Sequence, residues 1–127
     1  MAYGYSKVID IEFEQAEEVV RKALYEHGFG VMTKGDVKLA LKKAGFEFDD
    51  YIILGACYPE LAYKALKVEP EIGLLLPCNV IIYKKQGKTI VSAINPIEAM
   101  GMVENEKLTE IASIVKEKLE SVIDSIK

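Results

Sequence analysis

Two cysteines, one histidine and a few paired carboxylates are the side chains of this 127-residue sequence best suited to chemistry beyond packing. Cys57 closes the apolar run "YIILGAC" (51–57), two residues before Pro59, where helical spacing begins. Proline suits the first turn of a helix. The thiol is therefore expected beside free N–H groups and the positive end of a helix dipole, a setting that stabilises thiolate and lowers a cysteine pKa. Such a group serves as nucleophile, redox centre or metal ligand. The same position also suits a small apolar residue closing a core strand, since free cysteine is among the most buried types. Cys78 follows Pro77 at the head of a second apolar block. Two thiols at two strand ends could face one another, form a disulfide or share a metal.

Neither thiol belongs to a CxxC or HxxxH pattern, and a structural zinc site takes about four ligands. The candidate metal set is accordingly Cys57, Cys78 and His27, the last at an expected helix C-terminus. A Cys/His nucleophilic pair would also require His27. Glu69 and Glu71 flank Pro70, and Asp49-Asp50 precede a strand. Paired carboxylates can do acid/base work or hold a hard cation, although in loops they are more often simply solvated. No GxxxxGK[ST] phosphate loop occurs, and Gly28-Phe29-Gly30 alone specifies nothing. The candidate ligand-binding residues are Cys57, Tyr58, Glu71, Pro77, Cys78 and Asn79.

These residues need a scaffold, and apolar periodicity supplies one. Residues 3–11 alternate as a strand. Phe13, Ala16, Val20, Ala23, Leu24 and His27 fall on one helix face, which Gly28 and Gly30 end. "FGVMT" reads as a short strand. Thr33 with Asp36 resembles a capping box opening a helix through Ala44, with Val37, Ala40, Leu41 and Ala44 inward and Gly45 as its stop. "YIILGAC" does not alternate, which suits a strand covered on both faces or central in a sheet. The helix from Pro59 runs to about Val68, with Leu61, Ala62, Ala65 and Leu66 inward. Pro77 interrupts the next block, leaving a loop or bulge, a strand over 78–84, a turn at Gln86-Gly87 and a partner strand over 88–94. Asn105 caps a last helix whose stripe runs from Leu108 through Ile111, Ala112, Val115, Leu119, Val122 and Ile123 to Ile126. The order β-α-β-α-β-α-β-β-α describes one α+β domain over 1–127, with a mixed or mainly antiparallel sheet and helices on one face.

Composition excludes several functions. Half of the residues are hydrophobic and 28% are charged, which suits a folded domain rather than a disordered one. The net charge of −4 lacks the footprint of a general nucleic-acid binder; Lys84, Lys85 and Lys88 read as a solvated hairpin tip. No window approaches the ~18 apolar residues of a membrane span, and "MAYGYSKVIDIEFEQ" lacks a signal-peptide pattern. A cytoplasmic protein with reduced thiols, no membrane partner and no nucleic-acid partner is expected.

The segments "GFGVMTKGDVKLALKKAG", "YIILGACYPELAYKALKVEPEIGLLLPCNVIIY" and "VSAINPIEAM" resemble the domain of unknown function 302 family over about residues 3–122. That resemblance implies a fold similar to the TATA-binding-protein-like group, with a curved, mainly antiparallel sheet against a long C-terminal helix. It also implies a homodimer. Gly55, Ala56, Cys57, Pro59, Gly73, Pro77 and Cys78 are among the matching positions, whereas Tyr58 stands where the family motif more often has Asn. Fold likeness alone transfers no function. The combined expectation is a homodimeric binding protein with a small-ligand or metal site near Cys57 and Cys78. A thiol-dependent redox enzyme and a purely structural interaction module remain as alternatives.

Overall fold

The computed structural model describes residues 2–127. Five strands form one sheet: β1 (Gly4–Ile9), β2 (Gly30–Asp36), β3 (Tyr51–Cys57), β4 (Cys78–Lys85) and β5 (Lys88–Ile94). Their spatial order is β1-β5-β4-β3-β2 and every neighbouring pair is antiparallel. The sheet is thus fully antiparallel, the narrower of the two expected forms. The helices are α1 (Phe13–Glu26), α2 (Val37–Lys43), α3 (Pro59–Val68), α4 (Pro96–Ala99) and α5 (Glu106–Ser125), with a 3-10 segment over Pro70–Leu75.

Register explains the core. Ile52 lies opposite Ile82, Leu54 opposite Val80 and Ala56 opposite Cys78; Val80 and Ile82 in turn face Ala93 and Val91. Side chains alternate along a strand, so these positions share one face, and all of them are buried. Onto that face α1 brings Ala16, Val20 and Leu24, while α5 brings Leu119, Val122 and Ile123. The long stripe read from the sequence is therefore the helix's buried side, with Ile126 buried just beyond its last turn. The Asn105 side-chain oxygen accepts from the Lys107 and Leu108 N–H groups at 2.9 and 3.4 Å, as a cap should. At the other end of α1, the Gly28 N–H donates to Tyr25 and the Phe29 N–H to Leu24. This Schellman closure needs the left-handed φ of +89° that Gly28 adopts.

The second helix departs from expectation. Thr33 does not cap it; β2 continues to Asp36, whose carboxylate accepts from the Leu39 N–H at 3.0 Å and starts α2 there. Pairing with β3 from Gly30 to Asp36 satisfies the backbone that an earlier helix would have used. None of α2 is buried, so Val37, Ala40, Leu41 and Ala44 do not form an inward face. Pro96–Ala99 and the 3-10 segment are short elements that periodicity did not reveal.

Candidate functional site

A cavity of about 290 Å³ opens under α3. Its walls come from the end of β3 (Ala56, Cys57), the start of β4 (Pro77, Cys78), the inner side of α3 (Leu61, Ala62, Ala65, Leu66) and α5 (Ile111, Ala112, Val115). Phe29, Met32 and Met100 complete it, and no lining side chain carries a charge. The void exists because small residues meet there: Ala62 and Ala65 from one helix face Ala112 from another. Ala62 and Leu66, expected as core, form its wall instead, and Leu66 is 42% exposed.

The two cysteine motifs interlock at this wall. A Cβ on Gly55 would fall 2.1 Å from Thr33 Oγ1 and 2.5 Å from Pro77 Cγ. Glycine is therefore the residue that lets Thr33 and Pro77 lie directly over β3. The Leu76-Pro77 bond is cis. Because Ala56 opposes Cys78, Cys57 is one residue off the directly paired position, on the order of 6 Å between Cα atoms from standard strand spacings. Both thiols are free; Cys57 is half-buried and Cys78 is buried.

Their electrostatics reverse the sequence expectation. Burial pushes the Cys57 thiol up rather than down. Burial also pushes Cys78 up to about 11, with neighbouring Cys57 adding to the effect. Desolvation disfavours the thiolate, and no basic side chain lines the cavity to offset it. Both groups therefore rest as neutral thiols, so the cavity is neutral throughout.

Tyr58 is a fixed wall. Its ring meets Phe29 edge-on at 5.3 Å between centroids, and Lys118 Nζ sits 4.7 Å from its centre. A Cβ on Gly28 would lie 2.7 Å from the Tyr58 ring, so that glycine serves both the helix end and this contact.

Cys57, Tyr58, Pro77 and Cys78 thus converge on one cavity. Asn79 lines a neighbouring cavity of about 240 Å³ that shares Pro77, Cys78 and Met100 with the first. Glu71 is exposed on the 3-10 segment, outside both. His27 caps α1, with its Nδ1 2.8 Å from the Ala23 carbonyl oxygen, and does not line the cavity. Among the described residues no group of three or more His, Cys, Asp and Glu could hold a metal ion. The carboxylate pairs have structural work: Glu69 accepts from the Glu71 N–H and Asp50 pairs with Lys38 at 3.2 Å. Sequence reasoning passed over Met32 and Met100. Tertiary packing alone brings them to the cavity wall, which no local spacing marks.

The family description "Domain of unknown function DUF302" matches residues 5–126. The chain belongs to this family. The crystal structure of an uncharacterized conserved DUF302 protein from Bacillus stearothermophilus is similar along its whole length: 26% identity, 100% of both chains covered and a TM-score of 0.94. Among curated proteins none matches. The interlocking of Gly55 with Pro77 gives a physical reason for the paired DUF302-like motifs in this chain. Among the described residues no helix is long and apolar enough to cross a membrane.

Proposed function

We propose that this DUF302 protein is a cytoplasmic, single-domain, homodimeric binding protein whose ligand occupies the cavity between Cys57, Cys78 and α3. One observation carries the reading: the cavity is concave, about 290 Å³ in volume and lined only by uncharged side chains. Apolar cavities of ~150 Å³ already hold benzene, and natural ligand pockets begin near ~300 Å³. The walls favour a small ligand that is neutral when bound over a phosphate, nucleotide or hard cation. Neutral thiols without a basic neighbour support a binding role over a thiolate-dependent redox enzyme.

A neutral fluorescent probe such as N-phenyl-1-naphthylamine is expected to bind once per chain, in competition with apolar small molecules. Ala62→Phe, which fills the space from a half-buried wall position, should abolish that binding while leaving the circular dichroism unchanged. Equal binding in wild type and Ala62→Phe would rule the cavity out as the site.

The homodimer rests on the sheet face opposite α1 and α5. Alternation places Val8, Ile53, Ile81, Ile90 and the stacked pair Tyr51–Tyr83 there, and Val8 is 57% exposed. Ser6 and Ser92 join hydroxyls at 2.7 Å on the same face. The centre of that face is apolar, with Lys85 and Lys88 on it only at the hairpin end, so a second copy can meet the centre without like-charge repulsion, as an isologous contact requires. Sedimentation should give twice the chain mass, and Ile81→Lys should halve it. A monomer at micromolar concentration would exclude the assembly.

A further inference from the structure

The second helix and the segment that returns from it form an arm in which no residue of α2 is buried. Gly45 ends the helix at a left-handed φ of +92°, and Lys38 ties it to the returning segment through Asp50 at 3.2 Å. Leu39, Phe46 and Phe48 are 49%, 64% and 49% exposed within ten residues of one another. Apolar residues exposed singly need no explanation, whereas a group of them rimmed by charges marks an interaction site.

Two observations say what covers it. The first is continuity: the Phe48 ring lies 6.1 Å from that of Tyr51, which stacks on Tyr83 at 5.4 Å. The aromatic surface of the arm thus runs into the open sheet face. The second is charge. Lys42 and Lys43 on the helix and Glu47 and Asp49 on the returning segment are all exposed, and among the described residues none of them forms an ion pair. A two-fold axis between two arms sets the helix of each against the returning segment of the other, so both cations meet both carboxylates. These four charges sum to zero, whereas an anionic membrane selects a cluster of cations.

We propose that α2 and residues 44–50 are a dimerisation arm whose occupant is the same arm of a second copy. Leu39, Phe46 and Phe48 pack across the axis, and Lys42 and Lys43 face the partner's acidic segment. The inference rests on the homodimer reading and adds a second, charge-selective element to it.

The test is sedimentation equilibrium of the intact protein over a dilution series, with native mass spectrometry of mixtures. Phe46→Ser combined with Phe48→Ser should raise the dimer dissociation constant by at least about 30-fold, as truncated aromatic anchors do. Lys42→Glu with Lys43→Glu makes the four positions all acidic, and Glu47→Lys with Asp49→Lys makes them all basic. Each pair should raise the constant by at least about 10-fold. Mixed in equal amounts, the acidic and basic variants should form a heterodimer of about wild-type affinity. The substituted positions are exposed, and circular dichroism checks that each variant folds. Ile81→Lys separates the two readings. Dissociation by Ile81→Lys, with every arm variant at wild-type affinity, overturns the arm and keeps the sheet-face dimer. Dissociation by the arm variants, with Ile81→Lys still dimeric, keeps the arm and removes the sheet face. A wild-type monomer at micromolar concentration overturns both. Vesicles containing phosphatidylserine that bind wild type but not the Phe46→Ser, Phe48→Ser variant, with dimer affinity unchanged, would assign the patch to a membrane and overturn the arm.

Discussion

The sheet face under α1 and α5 and the space under α3 are built from the same kinds of element, yet they pack differently. In the first, Leu24, Leu54, Ile82, Leu119 and Ile123 interdigitate, each at most 1% exposed. In the second, Ala65, Ile72, Met100, Leu108 and Ala112 form a smaller cluster beside an open cavity. Branched side chains fill volume from both sides of the first interface, whereas alanines face one another across the second. Interiors normally reach crystal-like density, and a void forgoes dispersion contacts along its lining. The fold thus keeps its stability in one cluster and its open space in the other.

Mutations can break that contrast, beginning with the largest effect. Leu54→Ala should cost about 2–5 kcal/mol in a denaturant titration, because it removes a fully buried side chain and leaves a void. Leu66→Ala at the cavity rim should cost under about 1 kcal/mol, since it enlarges a space already open. Equal losses at both sites would mean that the two clusters are energetically alike.

Gly55→Ala comes next, at about 1–3 kcal/mol, because Thr33 and Pro77 occupy the place of its new methyl. Gly73→Ala, with nothing within 4 Å, should fall within about 0.5 kcal/mol of wild type.

The pH dependence of stability sharpens the comparison. Cys78 titrates at about 11 when folded against an ordinary 9.0. Below pH 9 both states hold the proton and stability is unaffected. Between these values the unfolded thiol ionises while the folded one does not, so stability falls as pH rises, by at most about 1.4 kcal/mol per pH unit. Thermal unfolding from pH 8 to 11 should show a steeper decline for wild type than for Cys78→Ala. Parallel curves would mean that Cys78 is well solvated. The smallest effect is the cap: Asn105→Ala should lower stability by about 1 kcal/mol.

The sequence disclosed most where one element's own pattern decides its structure. The stripe of α5, the Asn105 cap, the glycine that ends α1 and the β4–β5 hairpin are local, and all are present. Thr33 was misread because its capping pattern competes with a strand partner some twenty residues away, and that partner won. The cavity was only half legible. Cys57 and Cys78 stood out by their place beside prolines. Met32, Ala62, Met100 and Ala112 join them solely through the meeting of β2, α3, the segment after α4 and α5. The polar candidates erred for a related reason: residue type marks Glu71 and His27 as useful, but only tertiary position shows that they lie outside the cavity.

The sheet order carries a consequence for the time course of folding. The strand β1 precedes the other strands in the chain, but among the described residues its one sheet partner is β5, some eighty residues later. The C-terminal end closes over it: Lys7 Nζ donates to the Ile126 carbonyl, the Asp10 N–H to the Lys127 carbonyl and the Tyr5 hydroxyl to Asp124. Pairings this distant in sequence require loop closure before any contact compensates for it. On the ribosome, this strand emerges long before anything exists for it to join, and its contacts wait until residues 88–127 have followed.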